Sequence, residues 1–365
     1  MSMRKMAITP ISAEKPSAGT SDTPDSEPGR RVENLPIPEP TPDRAAYDRE
    51  RRACLMRSTG KLWNYIKYLT ANRRAADVPY LPIRMDFENV SRCNFRCTMC
   101  QVSQWPKSKR ANDMSFETFK RIIDDQYGLV EIKIQGFGEP LMQGDDFFRM
   151  IRYARARRIW TRTTTNASLL HLRDNYRKLV DSGVNEIQIS IDGADKKTFE
   201  KIRVGSVFKM VVENCKSINA YARERGVVRT KMWTVVQKDN VHQLRDLVFL
   251  AHEMGFPTMA FSFDLVDFGN PEWRARNNSV TVKDQISYRM AKELVKLGAE
   301  RGIRVGIWNV TSRFSSENPS RLCPWPFERA YISSDSRVVH CCIIGNPEAM
   351  NLGDATKLRD IWHGG

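Results

Sequence analysis

The chain reads as a parallel α/β protein, and three observations carry that reading. Strand-type alternation recurs between stretches of helical periodicity, several of those helical stretches close on a glycine, and the polar Gly- or Asn-bearing turns follow strands. LPIRMDFENV (Leu81–Val90) alternates and is the first strand. MSFETFKRIIDDQY (Met114–Tyr127) has helical spacing with Ser115 as N-cap. VEIKIQGFGEP (Val130–Pro140) is strand and Gly-rich turn, DDFFRMIRYARARR helix, and IWTRTTTNAS strand and turn. LRDNYRKLVDSG is a helix closing on Gly183, and VNEIQISIDG (Val184–Gly193) is again strand and turn.

The alternation continues through helix VFKMVVENCKSINAYARERG, strand VVRTKMWTVVQ, helix VHQLRDLVFLAHEMG, strand PTMAFSFDLV, helix DQISYRMAKELVKLGAERG and strand IRVGIW (Ile303–Trp308). About six βα units result, which implies a parallel sheet with helices outside. Pattern alone leaves open whether the sheet closes into a barrel or stays an arc. In either case the chemistry belongs at the carboxyl ends of the strands, where the cysteine loop, GFGEP, TTTNA, SIDG and VVQKDN fall.

The flanks differ in composition. Residues 1–50 are rich in Pro, Ser, Asp, Glu and Arg, and read as a mobile, basic, Pro-rich tail. Residues 51–80 hold a helical segment, LWNYIKYL, whose aromatics fill a surface groove or cap one end of a barrel. Residues 81–310 form the body and residues 311–365 a small extension.

Charge and cysteine usage narrow the function classes. The net charge of +15, from 58 Lys and Arg against 43 Asp and Glu, favours acidic partners, but the excess is scattered. Its densest run, RYARARRIWTR (Arg152–Arg162), reads as a solvated helix face rather than a nucleic-acid patch. No apolar run approaches the roughly 18 residues of a membrane span, and the N-terminus lacks the apolar core of a secretory signal, so the expected location is the cytoplasm. Eight cysteines in a long chain with no export signal and two local clusters point to metal chemistry rather than disulfides. Cys54 and Cys215 stand apart, and Cys215 reads as a small buried side chain.

The first cluster is RCNFRCTMC (Arg92–Cys100), with Cys93, Cys97 and Cys100 spaced C-x3-C-x2-C. Three thiolates on one loop can hold three irons of a [4Fe–4S] cube and leave the fourth open. The spacing differs from ferredoxin runs, which fill every iron, and from zinc sites, which pair C-x2-C with a distant second pair.

With these motifs the sequence resembles the radical S-adenosylmethionine (SAM) superfamily, in the branch bearing a C-terminal SPASM or twitch extension. The similarity runs from about Leu81 to the end. It implies a partial (β/α)6 TIM-type barrel with a small partial SPASM/twitch-like extension. It also implies a [4Fe–4S] cluster on Cys93, Cys97 and Cys100 whose open iron is chelated by SAM. Reductive cleavage of SAM would give a 5′-deoxyadenosyl radical that abstracts a substrate hydrogen atom. Met99 matches the hydrophobic position before the last cysteine, and Phe95 is implied beside the adenine.

GFGEP resembles the family's Gly-Gly-Glu segment, with Phe137 in place of a glycine. Its glycines let backbone approach a ligand, and Glu139 can accept from the methionine ammonium; the alternative is a turn with a solvated glutamate. Asn166 stands in a Thr-Asn-Gly-like position with Ala167 replacing the glycine, and either holds the cofactor carboxylate or caps the turn. Ser190 and Asp192 alternate on ISIDG and share a face; Ser190 suits the cofactor, Asp192 a substrate or an Asx turn. Gln237 resembles a further cofactor-proximal position.

The second cluster, Cys323 in RLCPWPF with Cys341 and Cys342 in SRVVHCC, resembles a SPASM start, with Ser336 in the glycine slot. Adjacent cysteines on a strand face opposite ways, so Cys341 is the preferred ligand of an auxiliary iron–sulfur cluster and Cys342 the reserve. That set is thin for a cube, which leaves a truncated extension, a reduced one, or plain buried cysteines. The expected substrate is a small polar, sugar-like metabolite undergoing dehydrogenation or epimerisation, with peptide or protein modification as the alternative. A flavodoxin- or ferredoxin-type reductase is the implied electron donor. The competing class is a non-catalytic iron–sulfur or nucleic-acid-binding protein.

Overall fold

The protein is described by a computed structural model covering residues 43–72, 77–103, 113–267, 269–283, 285–308, 314 and 322–364, all within the compact unit Arg31–Gly365. Two helices, α1 (Arg44–Leu55) and α2 (Thr59–Thr70), precede the sheet, capped by Asp43 and Ser58. Strands β1 (Arg84–Phe87), β2 (Glu131–Ile134), β3 (Trp160–Thr165), β4 (Glu186–Ser190), β5 (Thr230–Val235), β6 (Thr258–Ser262) and β7 (Arg304–Trp308) pair in parallel and in sequence order. Between them run α3 (Phe116–Asp125), α4 (Asp145–Ala156), α5 (Asn175–Asp181), α6 (Lys196–Ile202), α7 (Phe208–Glu224), α8 (Leu244–Glu253), α9 (Pro271–Val280) and α10 (Tyr288–Glu300).

The chain does not add its next strand beside β7. After α11 (Trp325–Glu328), strand β8 (Arg329–Ile332) returns to the far edge and pairs in parallel with β1. Strands β9 (Arg337–Val339) and β10 (Gly353–Asp354) continue that edge antiparallel, and α12 (Leu358–Trp362) follows. The edges are therefore β7 and β10, and the sheet is an open, partial TIM-type barrel plus a C-terminal extension.

Strand alternation separates two environments. Met85, Phe87, Ile132, Ile134, Ile187, Ile189, Met259 and Phe261 are buried and belong to the core under the helices. The alternate positions carry Arg84, Asp86, Glu131, Lys133, Arg162, Glu186 and Lys231, so the inner face of the sheet is charged. A tight Ser333–Ser336 turn joins β8 to β9, with Ser333 N–H donating to Arg337 O at 2.9 Å. Ser336 has φ +66° there, the left-handed backbone that explains a glycine at this slot.

Several expectations need correction. Residues 1–42 lie outside the described residues, but α1 starts inside the stretch expected to be mobile. Its Tyr47 is buried against Trp160 at 5.1 Å between ring centroids, an aromatic anchor that charge-rich composition concealed. The basic run is no uniform solvated face. Arg155 pairs with Glu50 at 3.0 Å, Arg157 with Asp124 at 2.8 Å, and Arg162 turns into the sheet interior between Glu131 and Glu186. Helix α9 was not anticipated, because its apolar face is weak; its signal is Asn270, which accepts from Glu272 N–H, followed by Pro271 in the first turn.

Candidate functional site

The cysteine loop leaves β1 and is tied down by backbone bonds to the end of α6. Arg96 N–H donates to Val204 O at 2.8 Å, and Thr98 N–H to Ile202 O at 2.9 Å. Ser103 Oγ donates to Cys97 O at 2.7 Å. Cys93 Sγ accepts from Phe95 N–H at 3.4 Å and more weakly from Asn166 Nδ2 at 3.8 Å. Donors of this kind stabilise a thiolate ligand. In the thiol state, burial pushes Cys93 up to about 11, helped by Glu139, and pushes Cys97 up to about 12 against the opposing Arg203.

The GFGEP turn crosses directly over this loop. A Cβ on Gly138 would lie 2.2 Å from Val90 O and 2.4 Å from Arg92 O, and one on Gly136 would strike the Glu88 side chain. Gly138 thus allows a backbone–backbone approach to the start of the cysteine loop and Gly136 makes room for Glu88, while both also line a cleft shared with the cysteines. Glu139 N–H donates to Arg92 O at 3.0 Å. Its carboxylate is buried, accepting from Asn166 N–H and Thr165 Oγ at 2.7 Å each, and burial raises it to about 7. It is not a solvated turn residue.

One cleft of about 220 Å³ collects these groups: Cys93, Phe95, Cys97, Met99 and Cys100 from the loop, Gln135 to Glu139 from the turn, Thr164 to Asn166, Ser190, Arg203, Val235, and Asp264 to Val266. Asn166 does two things. Its Oδ1 accepts from Ser168 N–H at 2.9 Å and caps the turn, while Nδ2 faces Asn94 and Cys93. Ala167, in the glycine slot, has φ +62°. Buried Gln135 Oε1 and Thr164 Oγ in the cleft lining lack a partner among the described residues.

Asp192 and Gln237 do not line the cleft. Asp192 is fully buried, pairs with Arg203 at 2.6 Å and accepts from Val235 N–H at 2.8 Å, so it makes no Asx turn and reaches the site only through Arg203. Gln237 is buried behind β5, with its N–H donating to Asn240 Oδ1 at 2.8 Å. Sequence reasoning missed Arg203 and Asp264. Arg203 had one available signal, a cation closing the apolar face of α6 just before Gly205.

The second cysteine set is less compact. Burial raises the Cys323 thiol, and nearby Cys341 adds to the rise. Cys342 is exposed, with Asp86 and Lys133 acting on its thiol in opposite senses. Among the described residues no three Cys, His, Asp or Glu side chains are grouped to hold a single metal ion. A cube separates its thiolates more widely than one ion does, so three cysteines along one cleft wall fit a cluster better than a lone metal.

Thiols, a buried carboxylate and a buried arginine at the carboxyl ends of an open parallel sheet define a class, that of radical SAM proteins. Residues 90–251 match the radical SAM superfamily, and this chain carries that family's domain. Among curated relatives, the mycofactocin maturase MftC of Mycolicibacterium smegmatis is 28% identical over 175 residues, covering 48% of this chain and 43% of that protein. The tungsten-containing aldehyde ferredoxin oxidoreductase cofactor-modifying protein of Pyrococcus furiosus is 29% identical over 181 residues, covering 48% and 49%. The chain thus spans about half the length of these relatives. Among solved structures, Streptococcus suis SuiB bound to the precursor peptide SuiA shares the fold, with a TM-score of 0.61 at 16% identity over 83% of this chain and 69% of that one. Among the described residues no helix is long and apolar enough to cross a membrane.

Proposed function

We propose that this protein is a radical SAM enzyme acting on a peptide substrate. The observation that carries the reading is the meeting of Cys93, Cys97 and Cys100 with Glu139, Asn166 and Ser190 in one cleft at the strand ends. A [4Fe–4S] cluster held by the three cysteines, with SAM bound beside it, supplies the electron and the 5′-deoxyadenosyl radical for hydrogen abstraction.

The protein's own groups do the rest. Buried Glu139 is oriented by Thr165 and Asn166 to receive the ammonium of methionine. Arg203, balanced by Asp192, offers a cation to a carboxylate or to the thiolates. Ser190 presents a hydroxyl with no partner among the described residues, suited to a ribose, and Phe95 and Met99 give apolar cover for the adenine. Cys323 and Cys341 are the candidate ligands of an auxiliary cluster, and a flavodoxin- or ferredoxin-type protein is the electron donor.

A peptide substrate is favoured over the small sugar-like metabolite because relatives of both kinds of comparison are named as a maturase or as bound to a precursor peptide. The test is anaerobic reconstitution with iron and sulfide, then dithionite and SAM. Methionine and 5′-deoxyadenosine are expected in equal amounts. An intact cluster that yields neither would overturn the reading.

A further inference from the structure

Among the described residues, one cation on the inner face of the sheet makes no ion pair. Four others in the same layer are paired: Arg84 with Glu131 and Glu328, Arg162 with Glu131 and Glu186, Lys231 with Glu186, and Arg329 with Asp86. The four carboxylates named here are engaged in these pairs, and a fifth, Glu88, acts on Tyr331 and accepts from Phe137 and Ser334 N–H. Lys133 has neither an ion pair nor a hydrogen bond among the described residues; Asp86, its cross-strand neighbour, and Cys342 favour its charge while Arg162 and Lys231 oppose it.

Its position gives that charge a use. Lys133 lies in register with Asp86 of β1, which is in turn in register with Tyr331 of β8. It shares a face with Gln135, two residues nearer the strand end, and so sits about 7 Å below the cysteine cleft. Gln135 and Thr164 border the cleft with polar atoms that lack partners among the described residues, and buried Tyr331 lies beside Asp86 on the same face. Lys133 is half-buried, and a cation partly withdrawn from water with no ion pair is stabilised when a ligand brings an anion to it.

We propose that Lys133, with the hydroxyls of Thr164 and Tyr331, receives a carboxylate of the substrate on the inner face beneath the radical-generating cleft. The inference rests on the radical SAM reading of that cleft and adds a substrate class, an acidic peptide. An aspartate or glutamate side chain and a free chain terminus carry the same chemistry. Bound there, the carboxylate becomes the missing counter-charge of the layer and fixes which neighbouring carbon faces the cleft.

The test measures binding of three fragments to the reconstituted full chain by ligand-observed NMR. They are N-acetylglutamate α-N-methylamide, its glutamine counterpart, and N-acetylglutamine with a free α-carboxylate. At least one acid is expected to bind about tenfold or more tighter than the neutral amide, and which one does so identifies the source of the carboxylate. That preference should collapse in Lys133→Met and persist in Lys133→Arg. Equal binding of all three fragments to the wild type sinks the inference whether or not the variants fold, as does a preference that survives in Lys133→Met. Formation of 5′-deoxyadenosine by the wild type without any fragment is read separately. Its loss overturns the radical reading, whereas its presence with no acid preference overturns only the carboxylate site.

Discussion

The two cysteine sets are built in opposite ways. Cys93, Cys97 and Cys100 occupy one short loop whose backbone is pinned at both Arg96 and Thr98, and all three line one cleft. Cys323 and the adjacent pair Cys341 and Cys342 come from two segments, with Cys341 acting on Cys323 and Cys342 in the field of Asp86 and Lys133. Local spacing therefore assembles the first site, while the second depends on how a hairpin docks. A ligand set on one pinned loop is insensitive to distant packing; a set on two segments is not.

The largest contrast should appear in iron content. Cys97→Ala is expected to remove about four irons per chain and abolish 5′-deoxyadenosine formation, whereas Cys342→Ser should leave the iron count unchanged. Comparable iron loss from both variants would erase the distinction. Next comes the buried pair behind the first loop. Asp192→Ala strands Arg203 without its carboxylate and should cost about 3–5 kcal/mol in denaturant unfolding, with Arg203→Met less damaging because it removes the charge itself.

Gly138→Ala pushes a methyl into Val90 O and Arg92 O, and a destabilisation of about 1–3 kcal/mol with poor iron retention is expected. The equivalent change on the hairpin side has the opposite sign. Ser336→Gly relieves a left-handed residue and should raise stability by up to about 1 kcal/mol, measurable as a higher Tm.

A pH effect links the two regions. Glu88 accepts from Phe137 N–H at 3.0 Å and Ser334 N–H at 3.1 Å, joining the GFGEP turn to the β8–β9 hairpin. Burial raises its carboxyl from 4.5 to about 7. A raised acid favours the folded state in its protonated form, so its contribution is complete below about 4.5, falls as pH climbs toward 7 and is gone above that. Stability should therefore decline from pH 5 to pH 8, and Glu88→Gln should reduce that slope, leaving the share of Glu139, which burial raises in the same way. An unchanged slope in the variant would remove Glu88 as the cause.

Much of this molecule is written locally. The C-x3-C-x2-C spacing, the Gly-Glu turn, the capped helices and the strand alternation follow from geometry within a few residues, so the seven parallel strands and the first cysteine site were readable. That Glu139, Asn166 and Ser190 fall near the cysteines follows for the same reason, since Ser190 ends β4 and the other two lie in the turns after β2 and β3. Other features need partners far away in sequence. That β8 pairs with β1 rather than β7, that Asp192 turns to Arg203, and that Arg162 enters the interior all depend on contacts across the sheet. The alternation of RMDF or EIKI marks two faces but not which one meets the helices. Burial of the apolar set chose that, and it left the charged set to pair with itself around the sheet, with Lys133 as the cation left over.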